Sequence, residues 1–430
     1  MKKHKNRRDF LKKASVIVPA FTIVPRFVLG NGYIAPSDKI TLGFIGTGKQ
    51  SVGLGKRFLN LKEIQMLAAS DVDSGKLKEF TAIINEHYNV NTGKDHQESF
   101  ATYERYEELL ERNDIDAVIV CLPDHWHAKA SIDAMKAGKD VYCEKPLTHT
   151  VWEGRQMVKA AEKYNSVVQT GSMQRSWENF RRACELVRNG YIGEIVSVKV
   201  NVGDPAVPCD LPTETTPDYL NWDRWVGPAQ MRGYNAILSP KSTKDGWPMW
   251  RKYKEFGGGI FCDWGAHMFD IAQWGLGMDN SGPVEFTPPS DKTATRGLVM
   301  KYANGIEMIH EDFGRGWAVE FVGREGKIRV SRSFFESDPE NIIEQKIKDN
   351  EIHLYKSENH YLDWIDAIKK RSKPICDVET GHRSASVCNL GNIAYWLGRP
   401  LQWDPVKEKF KGDKEANKLL TKKYRKPFKV

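Results

Sequence analysis

Cysteine is scarce in this chain and unpatterned. Seven of 430 residues are Cys, at 121, 143, 184, 209, 262, 376 and 388, with no C-x-x-C spacing. That excludes a disulfide framework and a zinc site built on cysteine pairs. Cys121, Cys143 and Cys262 lie in apolar runs and read as small core residues. Long hydrophobic runs are missing too: the apolar stretch at 14–24 contains Pro19 and is too short for a comfortable bilayer span. No glycine turn continues into G-K-[ST], which argues against a kinase or ATPase phosphate loop. Surplus charge is confined to the start of the chain. The formal net charge is +8, and residues 1–30 hold +7 of it, with eight Lys/Arg and one Asp. A second basic cluster at 407–429 is balanced by acids elsewhere and reads as a solvated end. No nucleic-acid recognition module accompanies it, so nucleic acid is not an expected partner. What remains, 40% hydrophobic and 28% charged, is an ordinary globular composition long enough for two domains.

The chain is organised around residues 39–53. The apolar, β-prone run Ile40 to Ile45 ends in Gly46-Thr47-Gly48, and a helix-compatible segment follows. Strand, tight glycine turn and helix in that order suit a dinucleotide: Gly46 permits the turn, Gly48 lets backbone approach a pyrophosphate, and the helix N-terminus offers free N–H groups. The third position of G-x-G-x-x-G holds Ser51, small enough for close helix–strand packing. A second buried strand, 64–70, ends at Asp71, 23 residues past Gly48. A carboxylate there can accept from both adenosine ribose hydroxyls and repels a 2′-phosphate, which favours NAD over NADP.

Beyond Asp71 the pattern alternates. Helices are expected at 75–89, 103–112, 128–137 and 151–164, and strands at 115–122, 140–143 and 166–170, with Gly138 as a C-cap. This predicts an α/β chain with an N-terminal Rossmann, doubly wound parallel sheet. Ligands sit beyond the C-terminal strand ends of such sheets, where the glycine turn, Asp71, Pro123–His127, Glu144–Lys145 and 171–175 all fall. After residue 175 a helix at 177–189 leads to an alternating strand at 194–200. Further strands are expected at 284–287, 296–302, 306–312, 317–322 and 326–331, a second domain with a mixed or antiparallel sheet. Late helices are expected near 358–370 and 382–396, the second able to return to the first domain. The boundaries read as 1–36 leader and linker, 37–172 nucleotide domain and 173–430 substrate domain.

Two stretches carry candidate chemistry. Glu144-Lys145-Pro146 closes a sheet strand, so Lys145 is either a surface lysine before a turn or a group that bonds a substrate hydroxyl near a nicotinamide. In 256–270 three glycines precede a helix bearing Asp263, His267 and Asp270. Asp263 and His267, four apart, share a helix face, and hydride removal from an alcohol needs a base such as histidine. A capped helix with a structural histidine is the alternative. No second cluster with ligand spacing accompanies these residues, so no metal is expected. The 203–250 insertion is crowded with Trp222, Trp225, Trp247 and Trp250, which fit either packing or the apolar faces of sugars.

Asn6-Arg-Arg-Asp-Phe-Leu-Lys12 matches a twin-arginine export signal, which carries folded proteins through the Tat machinery to the periplasm, or leaves them tethered if uncleaved. Over about 38–404 the sequence resembles the Gfo/Idh/MocA oxidoreductases (glucose–fructose oxidoreductase, inositol dehydrogenase and rhizopine catabolism). The resemblance rests on the glycine turn, Asp71, Pro123-Asp-His-Trp-His127, Glu144-Lys-Pro146 and Gly257-Gly-Gly-Ile-Phe-Cys-Asp-Trp-Gly-Ala-His267. It implies a C-terminal α/β domain with a large, mostly antiparallel sheet that supports homodimers or homotetramers. It implies that Gly46, Gly48 and Ser51 hold the pyrophosphate of NAD, Asp71 the adenosine ribose, Pro123 and His127 the nicotinamide side, and Glu144 and Lys145 the nicotinamide ribose and substrate. Gln174 and Arg175 are implied on the cofactor or substrate side. Lys145, Asp263 and His267 match the catalytic set, with His267 the proton acceptor and a sugar, cyclitol or glycoside as substrate. Some relatives of this layout are redox-neutral glycosidases that cleave N-acetylgalactosaminides. A sugar-binding module without activity is a third reading, disfavoured by the intact Lys145 and His267.

Overall fold

Alternating apolar segments set the first layer. The computed structural model describes residues 38–92 and 100–430; the leader reading therefore lies outside the described residues. Six short strands, β1 (Ile40–Ile45), β2 (Ile64–Ser70), β3 (Ala101–Tyr103), β4 (Ala117–Val120), β5 (Asp140–Cys143) and β6 (Val168–Thr170), form a parallel sheet in the order 3-2-1-4-5-6. All four residues of β4 and all four of β5 are buried, as expected for a sheet covered on both faces. The connecting helices are α1 (Lys49–Leu59), α2 (Ser74–Thr92), α3 (Tyr106–Leu110), α4 (Asp124–Lys136) and α5 (Val151–Tyr164). Helix α5 opens with a capping box between Thr150 and Glu153.

The second unit begins with α6 (Glu178–Arg188) and β7 (Ile195–Asn201), followed by α7 (Trp222–Val226) and the long α8 (Gly259–Leu276). Strands β8 (Glu285–Thr287), β9 (Leu298–Lys301), β10 (Glu307–His310), β11 (Ala318–Gly323), β12 (Lys327–Val330) and β13 (Phe335–Asp338) follow. Helices α9 (His360–Lys370) and α10 (Val378–Leu397), strands β14 (Leu401–Asp404) and β15 (Lys409–Phe410), and α11 (Lys414–Lys418) complete the chain. The second sheet has nine strands in the order 13-12-11-7-10-9-8-14-15, antiparallel except for β7 beside β10. Its core is built from α6, α8 and α10 packed on the sheet. The expected fold class is therefore the observed one. Strands β3 and β13 to β15 were not anticipated, because they are short, polar or at a sheet's edge; Tyr103, expected to open a helix, closes β3, and the helix begins at Tyr106.

Two late helices return to the first sheet. Tyr361, Trp364, Ile365 and Ile368 of α9 pack with Phe58 and Tyr142, and α10 lies against α5. The basic C-terminal segment is not the solvated end its composition suggests. Lys422 Nζ lies 2.8 Å from Glu153 Oε1, the Tyr424 hydroxyl donates to the same oxygen at 2.9 Å, and Phe428 is buried against Trp126. Glu153 is 0% exposed, and a buried carboxylate requires a cation brought from elsewhere in the chain. The aromatic insertion also packs. Trp222 and Trp225 stack at 4.5 Å in a buried cluster with Tyr234, Trp250, Tyr253 and Phe256, while Trp247 stays exposed.

Candidate active site

The turn after β1 is shaped by two glycines with different duties. Gly46 has φ +90°, and a Cβ there would stand 2.4 Å from the Cys121 carbonyl oxygen. Gly48 has ordinary φ as the N-cap of α1, and a Cβ on it would meet no protein atom within 4 Å. It opens instead on a cleft of about 570 Å³ between the two units. The first turn of α1 holds no acidic residue and its N-cap makes no side-chain hydrogen bond, which leaves the helix N-terminus open to an anion. Ser51 does not face that cleft. It is fully buried and its Oγ donates to the Gly46 carbonyl at 2.8 Å, so its side chain ties the turn.

Asp71 stands at the end of β2 and lines the cleft. Its Oδ2 accepts from the Thr47 amide at 2.6 Å and hydroxyl at 2.9 Å, and its Oδ1 from the Asp73 amide at 2.9 Å. Burial raises this carboxyl above its ordinary value, against the pull of Lys76. Pro123 caps α4 and lines the cleft, so α4 begins at Asp124, four residues before the expected start. That register turns His127 away from the cleft. Its Nδ1 lies 2.8 Å from the Pro146 carbonyl oxygen and its Nε2 2.8 Å from that of Leu122. His127 thus positions two strand ends and does not line the cleft.

The β5 terminus carries Glu144 and Lys145 into the cleft, and α8 brings Asp263 and His267 to meet them. Lys145 Nζ donates to Asp263 Oδ1 at 2.6 Å and to its backbone carbonyl at 2.8 Å. An ammonium has three N–H donors, so one remains for a substrate oxygen. Burial raises the Asp263 carboxyl, but Lys145 and Arg251, the latter at 3.4 Å, outweigh it and hold the group below its ordinary value. His267 is buried, and its Nδ1 has no hydrogen-bond partner among the described residues. Burial first, then the charges of Lys145 and Arg332, hold its pKa well below 6.5. It is a neutral imidazole near pH 7, able to accept a proton. Glu144 is buried with Oε1 likewise unpartnered and its carboxyl raised by burial. The open space at Gly48, with Asp71 and Glu144 lining the same cleft, fits a dinucleotide held at its pyrophosphate and ribose groups.

Gln174 and Arg175 lie behind the cleft wall. Gln174 Oε1 accepts from Arg332 Nε at 3.0 Å, so it orients a residue that lines the cleft without lining it itself. Arg175 is buried between Asp270 and Asp279, at 2.8 and 2.7 Å, and Ser384 also donates to Asp270. Asp270 is thus part of a structural ion cluster, not of the cleft. Sequence reading passed over Arg251 and Arg332, which have no local signature, and gave no role to Asp124 and Trp264 inside motifs it quoted.

Asp124 is 3% exposed. Burial and then repulsion from Asp263 push its carboxyl up to about 7. Between its ordinary value of 3.8 and about 7 the folded chain holds a proton that the unfolded chain releases, so this group lowers stability as pH rises through that window. Asp124→Asn is therefore expected to raise the melting temperature at pH 8, by up to about 4 kcal/mol of linkage, with the gain shrinking toward pH 4. A gain independent of pH would remove Asp124 as the titrating group.

Comparison with known proteins bears on the family and the fold. Residues 40–172 match the family model for the Gfo/Idh/MocA NAD-binding Rossmann fold, and 206–430 match that for its C-terminal α/β domain. An alpha-N-acetylgalactosaminidase of Shewanella oneidensis is 30% identical over 215 residues, 44% of this chain and 44% of that protein. The chain thus spans less than half the length of the curated relatives it matches. Among solved structures, the aldose-aldose oxidoreductase of Caulobacter crescentus, complexed with glycerol, superposes with a TM-score of 0.56 at 18% identity, covering 85% of this chain and 99% of that one. The myo-inositol 2-dehydrogenase of Lactobacillus plantarum gives 0.55 at 19% identity with the same coverage. With two family models covering the nucleotide and substrate units in order, the chain belongs to the Gfo/Idh/MocA family of NAD-binding oxidoreductases.

Proposed function

We propose that this chain oxidises a ring CH–OH of a sugar, cyclitol or glycoside and passes the hydride to a tightly held NAD. The observation that carries this reading is His267, a neutral imidazole that lines the cleft leading from the glycine turn, beside the Lys145–Asp263 pair. Bound NAD would supply the hydride acceptor, and Gly46, Gly48, Asp71 and Glu144 are the residues that would hold it. His267 takes the hydroxyl proton as the C–H bond is broken. The free N–H of Lys145 donates to the same oxygen and steadies its growing negative charge. Asp263 keeps Lys145 in place.

The redox-neutral glycosidase reading is favoured by the name of the Shewanella oneidensis relative. It uses the same first step, followed by loss of a proton and the aglycone to give an unsaturated ketone, addition of water where the aglycone left, and return of the hydride to the carbonyl carbon. Export by the Tat route and assembly into a homodimer or homotetramer complete the proposal, the first from the twin arginines and the second from the family resemblance.

The test is to extract nucleotide from the purified folded protein, then follow its near-ultraviolet absorbance with panels of sugars and glycosides. Bound NAD whose reduced band grows with a sugar supports the oxidoreductase. Glycoside cleavage without net NADH supports the glycosidase. A folded chain that binds neither NAD nor NADP overturns both.

A further inference from the structure

The substrate end of the cleft carries more positive charge than its carboxylates engage. Four arginines line the cleft: Arg57, Arg224, Arg251 and Arg332. Arg224 is paired with Glu107 at 2.6 Å and Arg251 with Asp263 at 3.4 Å. Among the described residues, Arg332 and Arg57 have no carboxylate within ion-pair distance. Arg332 sits in the turn between β12 and β13, where the Ser331 hydroxyl accepts from the amides of Ser333 and Phe334. Its Nε is held by Gln174, a side chain 1% exposed, and its guanidinium lies 4.4 Å from the Trp264 ring centroid. Arg57 donates to the Tyr361 hydroxyl at 3.2 Å.

An arginine at a surface is ordinarily mobile. This one is fixed at one nitrogen and stacked on one face, so its two terminal nitrogens are presented to the cleft in a set direction. That fork matches two oxygens of a carboxylate, or of a tetrahedral oxyanion such as a sulfate. The nucleotide's own phosphates do not account for it. They belong at Gly48 and the α1 N-terminus, whereas Arg57 lies about 12 Å further along that helix at 1.5 Å per residue. Arg332 is carried by the second sheet, and its charge acts on His267 at the reacting end. Beside it, the Trp264 and Trp317 rings lie 4.1 Å apart, tilted by 41°, with Trp317 41% exposed, an aromatic surface for the apolar face of a sugar ring.

We infer that the substrate ring carries an anionic group, the carboxylate of a uronic acid or a sulfate ester, received by Arg332 with Arg57 beside it. This rests on the oxidoreductase reading and narrows its substrate class. The test uses the full chain with its nucleotide. Tryptophan fluorescence gives a dissociation constant without turnover, for uronic acids, hexose sulfates and the neutral parent hexoses. The acidic sugar is expected to bind about 10- to 100-fold more tightly than its neutral parent, as a charge-assisted pair would give. The preference is expected to fall with added salt, to collapse toward unity in Arg332→Gln and to return in part in Arg332→Lys. Preference for the carboxylate or for the sulfate identifies the anion, and either supports the inference. Equal affinity for neutral and acidic sugars, or an Arg332→Gln variant that weakens both alike, overturns it. A chain that reduces its nucleotide with neutral sugars alone keeps the oxidoreductase reading and overturns this one; failure to bind any of the three classes overturns this inference, while the oxidoreductase reading falls only if the chain binds neither NAD nor NADP.

Discussion

His267→Gln is expected to slow reduction of bound NAD by sugar about 10²- to 10⁴-fold, the range that a positioned general base contributes, while leaving nucleotide affinity near that of the parent chain. The argument is electrostatic. The imidazole lies among cations, with Lys145 and Arg332 both acting on it, and burial is the largest cause of its low basicity. A histidine so placed, with its pKa well below 6.5, is neutral near pH 7 and lines the cleft. Glutamine keeps a polar group of similar reach but cannot take a proton. The measurement is single-turnover formation of the reduced nucleotide across pH. The parent's acid limb is expected to lie below the ordinary histidine value. In the variant that limb disappears along with the rate, and added imidazole restores part of it. A variant that loses nucleotide together with activity would mark His267 as a structural residue of α8 instead. Lys145→Met is expected to cost a similar factor, and it also leaves Asp263 with Arg251 as its remaining cation.

How much of this was legible beforehand depended on whether position along a strand or orientation of a side chain decides the role. The nucleotide turn, Asp71, Glu144 and Lys145 follow from one rule, that ligands gather beyond the carboxyl ends of parallel strands; all of them line the cleft. Asp263 and His267 follow from helical spacing, since both lie on one face of α8. Orientation failed where capping shifted the phase. With Pro123 as N-cap, residue 127 falls in the first turn of α4 and points at two backbone carbonyls. Ser51 was legible as a small packing residue but not as the donor that ties Gly46. Arg332 and Lys422 were not legible at all. Their partners, Gln174 and Glu153, lie 158 and 269 residues away in sequence, and only the tertiary fold brings such pairs together.

Gly46→Ala and Gly48→Ala, two residues apart, are expected to fail in opposite ways. At Gly46 the left-handed φ of +90° and the Cys121 oxygen at 2.4 Å leave no room for a methyl group. The expected cost is about 2–4 kcal/mol, from backbone strain and overpacking together, seen as a lower melting temperature even without nucleotide. At Gly48 the backbone is already in a region open to any residue, and a Cβ would meet nothing of the protein within 4 Å. The nucleotide-free chain should therefore melt within about 0.5 kcal/mol of the parent, as for a surface substitution away from special features. Its NAD affinity should nevertheless fall about 10- to 100-fold or more, because the added methyl occupies the space through which a pyrophosphate reaches the N–H groups of α1. Calorimetric melting of the nucleotide-free protein and NAD titration of both variants separate the two effects. If Gly48→Ala bound NAD as the parent does, the pyrophosphate would not lie at this turn. The space in front of Gly48 would then have to serve something other than the nucleotide, because no protein atom fills it.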